Sequence, residues 1–117
     1  MLLFVYGTLM RGERAHHLLK KTAFITDDET PPTYKLLDLG EYPGLATEGT
    51  DAVVGEVFEV PAALLRSLDR YEGDEYVRVS IPLASGRIVE TYVLRTRRDE
   101  PAIESGNWRS RQSYIHR

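Results

Sequence analysis

Glu72 stands at the end of an amphipathic run over residues 61–73, where a carboxylate meets conditions that shift its proton affinity. At about 100° per residue, Leu64, Leu65, Leu68 and Tyr71 share an arc of roughly 120°. Glu72 falls inside that arc and Asp69 just outside it. An apolar stripe of this kind faces a core. A carboxylate within it loses water, and the last turn of a helix adds partial negative charge, so both favour the protonated acid. Asp74 and Glu75 place like charge nearby. A group so placed can hold or release a proton near neutral pH, as a general acid/base must. The same pattern also allows the last turn to fray and leave Glu72 in water.

A second place with chemical potential is Tyr6-Gly7-Thr8-Leu9, which leaves a short apolar run at a glycine. Main-chain N–H groups in a sharp turn can bind an anion or a carboxylate, and glycine lets a ligand approach the backbone. Thr8 adds a hydroxyl. An ordinary bend out of a strand would use the same residues. The spacing and the lysine of a phosphate-binding P-loop are missing.

Other chemistries find less support. There are no cysteines, so disulfides, thiolate catalysis and cysteine zinc sites are excluded, and a reducing compartment is consistent with the composition. His16 and His17 are adjacent and would point about 100° apart on a helix, a poor geometry for one metal. His116 is far off in the tail. Ser67, Ser80 and Ser105 lack the strand-turn-helix context of a nucleophile elbow. A net charge of −3 with scattered basic residues gives no nucleic-acid footprint. Arg95-Thr96-Arg97-Arg98 reads as a solvated loop end, and Trp108 as a packing anchor. The first ten residues lack the basic start and long apolar stretch of a signal peptide, and no run approaches the roughly 20 apolar residues of a membrane span. These features predict a cytoplasmic protein with no metal, no cofactor, no nucleic-acid partner and no membrane partner.

The elements that must position these residues follow from patterning. Residues 2–6 read as a buried strand and 7–12 as a loop. Residues 13–21 read as a helix with acid early and lysines late. A brief strand over 22–25 precedes a polar, proline-bearing turn over 27–32. Residues 34–39 predict a strand, 40–44 a turn, and 45–51 are ambiguous. Residues 52–60 predict a strand carrying Gly55, which marks a bulge or a close backbone approach. Pro61 suits a first helical residue, with Gly73 ending that helix. Residues 76–83 and 87–95 predict a hairpin around Ser85-Gly86. Six strand-like runs and two helices predict one α+β domain over residues 1–117. Its expected form is a small mixed β-barrel of about six strands with flanking helices.

The ordered motifs add a further reading. Val5-Tyr6-Gly7-Thr8-Leu9 is followed by Arg11-Gly12, Tyr42-Pro43-Gly44, Val54-Gly55-Glu56-Val57-Phe58, Leu68-Asp69-Arg70-Tyr71-Glu72-Gly73 and Tyr76-Val77-Arg78. In order and spacing, across residues 1 to about 95, the set resembles the gamma-glutamylcyclotransferase superfamily, including gamma-glutamylamine cyclotransferases and AIG2-like proteins. The ending Ile103-Glu104-Ser105-Gly106-Asn107-Trp108 is similar to small bacterial members. The resemblance implies a mixed β-barrel with flanking helices and a metal-independent transferase. Such an enzyme releases 5-oxoproline from a small gamma-glutamyl substrate, without cofactors. It implies Glu72 as the catalytic acid/base, Tyr6, Gly7, Thr8 and Leu9 as a substrate-holding loop, and Tyr76 as a substrate-facing tyrosine. Two other functions fit the same fold: a non-catalytic module binding a small metabolite or peptide end, and an amide hydrolase whose carboxylate activates water.

Overall fold

The structure, a computed structural model, describes residues 1–111. The apolar run at the start forms β1 (Leu2–Val5), the middle strand of a five-stranded sheet. On one side β1 pairs antiparallel with β5 (Val54–Glu59), and β5 in turn with the edge strand β2 (Ala23–Glu29). On its other side β1 pairs parallel with β7 (Ile88–Leu94), which forms an antiparallel hairpin with β6 (Tyr76–Pro82). The sheet is therefore mixed, in the order β2-β5-β1-β7-β6. Central position explains the composition of β1 and β5. Leu3, Phe4, Val5, Val57 and Phe58 are buried, as strands covered on both faces require.

Residues 34–51 form a separate ladder of β3 (Tyr34–Asp38) and β4 (Pro43–Asp51). Among the described residues the strands number seven in two sheets, so the expected barrel of about six strands is open. The ambiguous segment 45–51 proves to be strand, and β4 already begins at Pro43, inside the expected turn.

The segment after β7 continues the structure. The Leu36 carbonyl accepts from the Ile103 N–H (2.7 Å), and the Asp38 N–H donates to the Pro101 carbonyl (2.8 Å). Trp108 is buried in the main core. His116 lies outside the described residues.

Helix α1 (Ala62–Glu72) buries Leu65 and Leu68 against the core. Pro61 stands just outside it in extended conformation, one position earlier than expected, and its carbonyl accepts the first helical bonds. Gly73, at φ 74°, stops the helix where the sequence predicts, in a conformation that side chains with a Cβ avoid. Tyr71 departs from the predicted stripe. It is 54% exposed, because the last turn overhangs a cleft instead of the core.

Two more expectations are corrected. Residues 13–21 form only a short 3₁₀ turn, His16–Leu19, and not a helix. Their bonds span three residues, and the Ala15 N–H donates back to the Thr8 carbonyl, so the segment is tied to the loop before it. Asp27, Asp28 and Glu29 belong to β2 instead of a turn, because their main chains pair with Glu56, Gly55 and Val54. Charge on such an edge strand also discourages pairing with other chains.

Candidate active site

A cleft of about 370 Å³ opens between the loop that follows β1 and the end of α1. Tyr6, Gly7, Thr8, Leu9, Glu72 and Tyr76 all line it, so the fold brings together every site residue expected from sequence.

Each wall has a local cause. β1 delivers the chain to Gly7 at the mouth of the cleft, where a Cβ would stand 2.5 Å and 2.7 Å from two ring carbons of Pro43. Glycine is required there by contact with Pro43, since Gly7 is not among the glycines with positive φ. The Gly7 carbonyl accepts from Met10, and the Thr8 carbonyl from Ala15, which fix the loop from behind. Nδ1 of His16 lies 2.8 Å from the Leu9 carbonyl. Among the described residues, the N–H groups of Gly7, Thr8 and Leu9 make no main-chain hydrogen bond outside the strands.

The two tyrosines have their hydroxyls committed. The Tyr6 hydroxyl donates to the Tyr92 carbonyl (2.6 Å) and accepts from the Leu45 N–H (3.3 Å), joining β1 to β7 and β4. The Tyr76 hydroxyl donates to the Pro43 carbonyl (2.6 Å). Burial pushes both phenols up in pKa, so both stay neutral. Both line the cleft, while their hydroxyls hold its walls in register.

Glu72 differs from Asp69 and Glu75, the partnered carboxylates near it. It is half-buried on the last turn of α1, and among the described residues its carboxylate makes no hydrogen bond and no ion pair. Burial, with the charge of Glu75 adding to it, pushes its pKa from 4.5 up to about 7. Asp69, one turn earlier, accepts two bonds from the Arg78 guanidinium and one from the Tyr92 hydroxyl (2.6 Å). The Arg78 bonds hold its pKa below the ordinary carboxylate value. One helix end thus presents one compensated and one uncompensated carboxylate.

The sequence reading missed several lining residues. Arg14, Glu41, Tyr42, Tyr71 and Glu75 also border the cleft. Arg14 donates to the Glu41 carbonyl (2.8 Å) and lies 3.7 Å from its carboxylate, closing the outer rim. Residues 95–97 are exposed, as a solvated loop end should be, but Arg98 is half-buried and both Arg95 and Arg98 are tied back to the domain. Arg95 donates to the carbonyls of Asp74 and Tyr76, and Arg98 pairs with Glu75 and Glu100. Asp74, Glu75 and Tyr76 are far from these arginines in the chain, so no local pattern announces the contacts. Among the described residues no three His, Cys, Asp or Glu side chains come together as a metal site.

Comparison with known proteins agrees with the fold and the motifs. The family model described as Gamma-glutamyl cyclotransferase, AIG2-like, matches residues 3–110, and the chain belongs to that family. A Vibrio cholerae protein, itself only provisionally named a gamma-glutamylcyclotransferase, is 41% identical over 109 residues, spanning 92% of this chain and 94% of that protein. The gamma-L-glutamyl-butirosin B gamma-glutamyl cyclotransferase of Niallia circulans is 38% identical over 71 residues, 60% of this chain and 44% of its own length. The crystal structure of a uropathogenic Escherichia coli-specific protein superimposes with a TM-score of 0.82 at 29% identity, covering 92% of this chain and 91% of that one.

Proposed function

We propose that this chain is a gamma-glutamyl(amine) cyclotransferase, releasing 5-oxoproline and a free amine. The observation that carries the reading is Glu72: a half-buried carboxylate with no partner among the described residues, poised near pH 7 and sharing a cleft with the Tyr6–Leu9 loop.

In this scheme the substrate's own α-amine attacks its γ-carbonyl carbon. A C–N bond forms, the five-membered lactam closes, and the bond to the leaving amine breaks. Glu72 takes the proton lost by the attacking nitrogen and returns one to the departing nitrogen, so the enzyme ends as it began. The N–H groups of Gly7, Thr8 and Leu9 bind either the α-carboxylate or the developing oxyanion. Because attack is intramolecular, a cleft that holds the glutamyl chain folded supplies much of the acceleration. The ring faces of Tyr6 and Tyr76 serve that holding role. The scheme needs no metal, and activity is expected to survive a chelator. A small gamma-glutamyl compound in the cytoplasm is the substrate this reading requires. The Niallia circulans relative, by name a gamma-L-glutamyl-butirosin B gamma-glutamyl cyclotransferase, supports this reading of the reaction.

The test is mass spectrometry of the protein incubated with a panel of gamma-glutamyl amines and dipeptides, with Glu72→Gln alongside. Release of 5-oxoproline by the wild type alone is expected. Release of free glutamate would convert the reading to amide hydrolysis, and equal turnover by Glu72→Gln would remove Glu72 from the mechanism.

A further inference from the structure

Two carboxylates three residues apart line the same cleft, and they are treated very differently. The 3₁₀ turn Gly73–Glu75 carries the chain from α1 to β6 and returns Glu75 to the cavity that Glu72 borders. Glu75 accepts from the Tyr42 hydroxyl (2.8 Å) and from the Arg98 guanidinium (2.8 Å). Arg98 is itself held by both oxygens of Glu100, at 3.1 Å and 2.6 Å. Glu72 has no such partner among the described residues. Tyr42 comes from the approach to β4, and Arg98 from the segment after β7, so two distant parts of the chain converge on Glu75.

We propose that Arg98 and Tyr42 decide which of the two carboxylates works: by binding Glu75 they leave Glu72 as the one free to exchange a proton with the substrate. Arg98 and Tyr42 are therefore positioning residues, acting through Glu75. The physical basis is that adjacent acids in a shared, partly dry site do not both ionise readily, so whichever is compensated ionises first and the other retains the proton. The pKa directions agree. The Arg98 bond and then the Tyr42 bond hold Glu75 below the ordinary carboxylate value, while burial and Glu75 hold Glu72 above it.

The remaining groups around Glu72 leave this division intact. Tyr6, Tyr76 and Tyr92 face it as neutral phenols with committed hydroxyls. Asp69 is neutralised by Arg78, and Arg14 by Glu41 at the rim. Among these neighbours, the Glu75 assembly alone joins an ionised side chain at the cleft to the segment after β7.

This assignment underlies the cyclotransferase reading but can be tested without substrate. Carboxyl ¹³C NMR titration follows both glutamates directly in the wild type, Arg98→Ala, Arg98→Lys, Tyr42→Phe and Glu75→Gln. In the wild type Glu75 should titrate well below Glu72. Arg98→Ala should raise the Glu75 midpoint, Arg98→Lys should restore most of it, and Glu75→Gln should lower the Glu72 midpoint. With a gamma-glutamyl amine, Arg98→Ala should reduce kcat at pH 7 about tenfold, within the range positioned acid/base groups contribute. Glu75→Gln should move the acid limb of kcat/KM to lower pH. The proposal is overturned if Glu75 titrates above Glu72 in the wild type, or if Arg98→Ala and Glu75→Gln both leave the midpoints unmoved. Should the titrations behave as expected while no gamma-glutamyl compound is consumed, the proton assignment stands and the cyclotransferase reading falls.

Discussion

Glu56 and Glu72 are two carboxylates withdrawn from water, and the fold uses them for opposite purposes. Glu56, on the second strand from the edge, is only 2% exposed. It accepts from the Arg11 N–H (2.8 Å), from Arg11 Nε (3.1 Å) and from the Arg109 guanidinium (3.4 Å). Arg11 also lies over the Phe24 ring, 3.5 Å from its centroid, and Arg109 bonds the Arg11 carbonyl. Glu56 thus ties β5 to the loop after β1 and to the tail. Glu72 is less deeply buried, yet among the described residues it lacks every such partner. Depth of burial does not make a carboxylate reactive. Burial without compensation does, because the ionised form then has neither water nor a countercharge.

The sharpest way to break this contrast is to neutralise Glu72. Glu72→Gln keeps shape and removes the exchangeable proton, so kcat should fall roughly 10²–10⁴-fold with far-UV circular dichroism unchanged. Loss of a comparable size in Glu56→Gln, with the fold intact, would show that the contrast has been drawn in the wrong place.

Stability should move the other way. The folded pKa of Glu72 lies above its unfolded value, so the native state holds a proton that the unfolded chain releases. Native stability therefore declines as pH rises from about 4.5 to about 7, then levels. A shift from 4.5 to about 7 corresponds to about 3 kcal/mol at pH 8, an order-of-magnitude figure. Glu72→Gln should be more stable than wild type by up to that amount in urea unfolding at pH 8, and show little gain at pH 4.5. An equal gain at both pH values would mean that the effect is not ionic.

Glu56→Gln sharpens the comparison from the scaffold side. It leaves the Arg11 and Arg109 donors short of a charged acceptor, and should cost about 1–3 kcal/mol in denaturant unfolding. Its effect on catalysis should be confined to looser binding, a raised KM, through the loop that Arg11 anchors. A smaller loss, about 1 kcal/mol, is expected for Tyr92→Phe, which removes the hydroxyl donated to Asp69. The weakest prediction concerns Arg97→Ala. Its contact with Glu48 is at 4.0 Å between exposed side chains, and thermal unfolding should not register its loss.

Much of the scaffold was legible in local pattern. β1, α1 with its Gly73 stop, and the β6–β7 hairpin all follow from periodicity, turn residues and helix punctuation, because the pattern that marks each lies within a few consecutive residues. The segment 13–21 misled for an instructive reason. Its helical pattern is real, but the Thr8 carbonyl accepts the Ala15 N–H and the chain tightens into a 3₁₀ turn. Asp27–Glu29 look like a turn until β5 supplies their main-chain partners. Tyr71 matched the apolar stripe, yet its position above the cleft leaves it exposed.

For the site, the residues of the Tyr6–Leu9 turn and Glu72 were identifiable by type, spacing and motif. Their meeting across one cleft was not, since β1 and α1 lie more than fifty positions apart in the chain. The sequence by itself determined where a carboxylate ends an amphipathic helix and where a glycine turn leaves a buried strand, because both are properties of a few consecutive residues. Tertiary contacts alone bring Arg98 and Tyr42 onto Glu75 and Arg11 and Arg109 onto Glu56, and leave Glu72 without a partner among the described residues. A carboxylate's proton affinity depends on charges and solvent within a few ångströms, and folding draws those neighbours from every part of the chain.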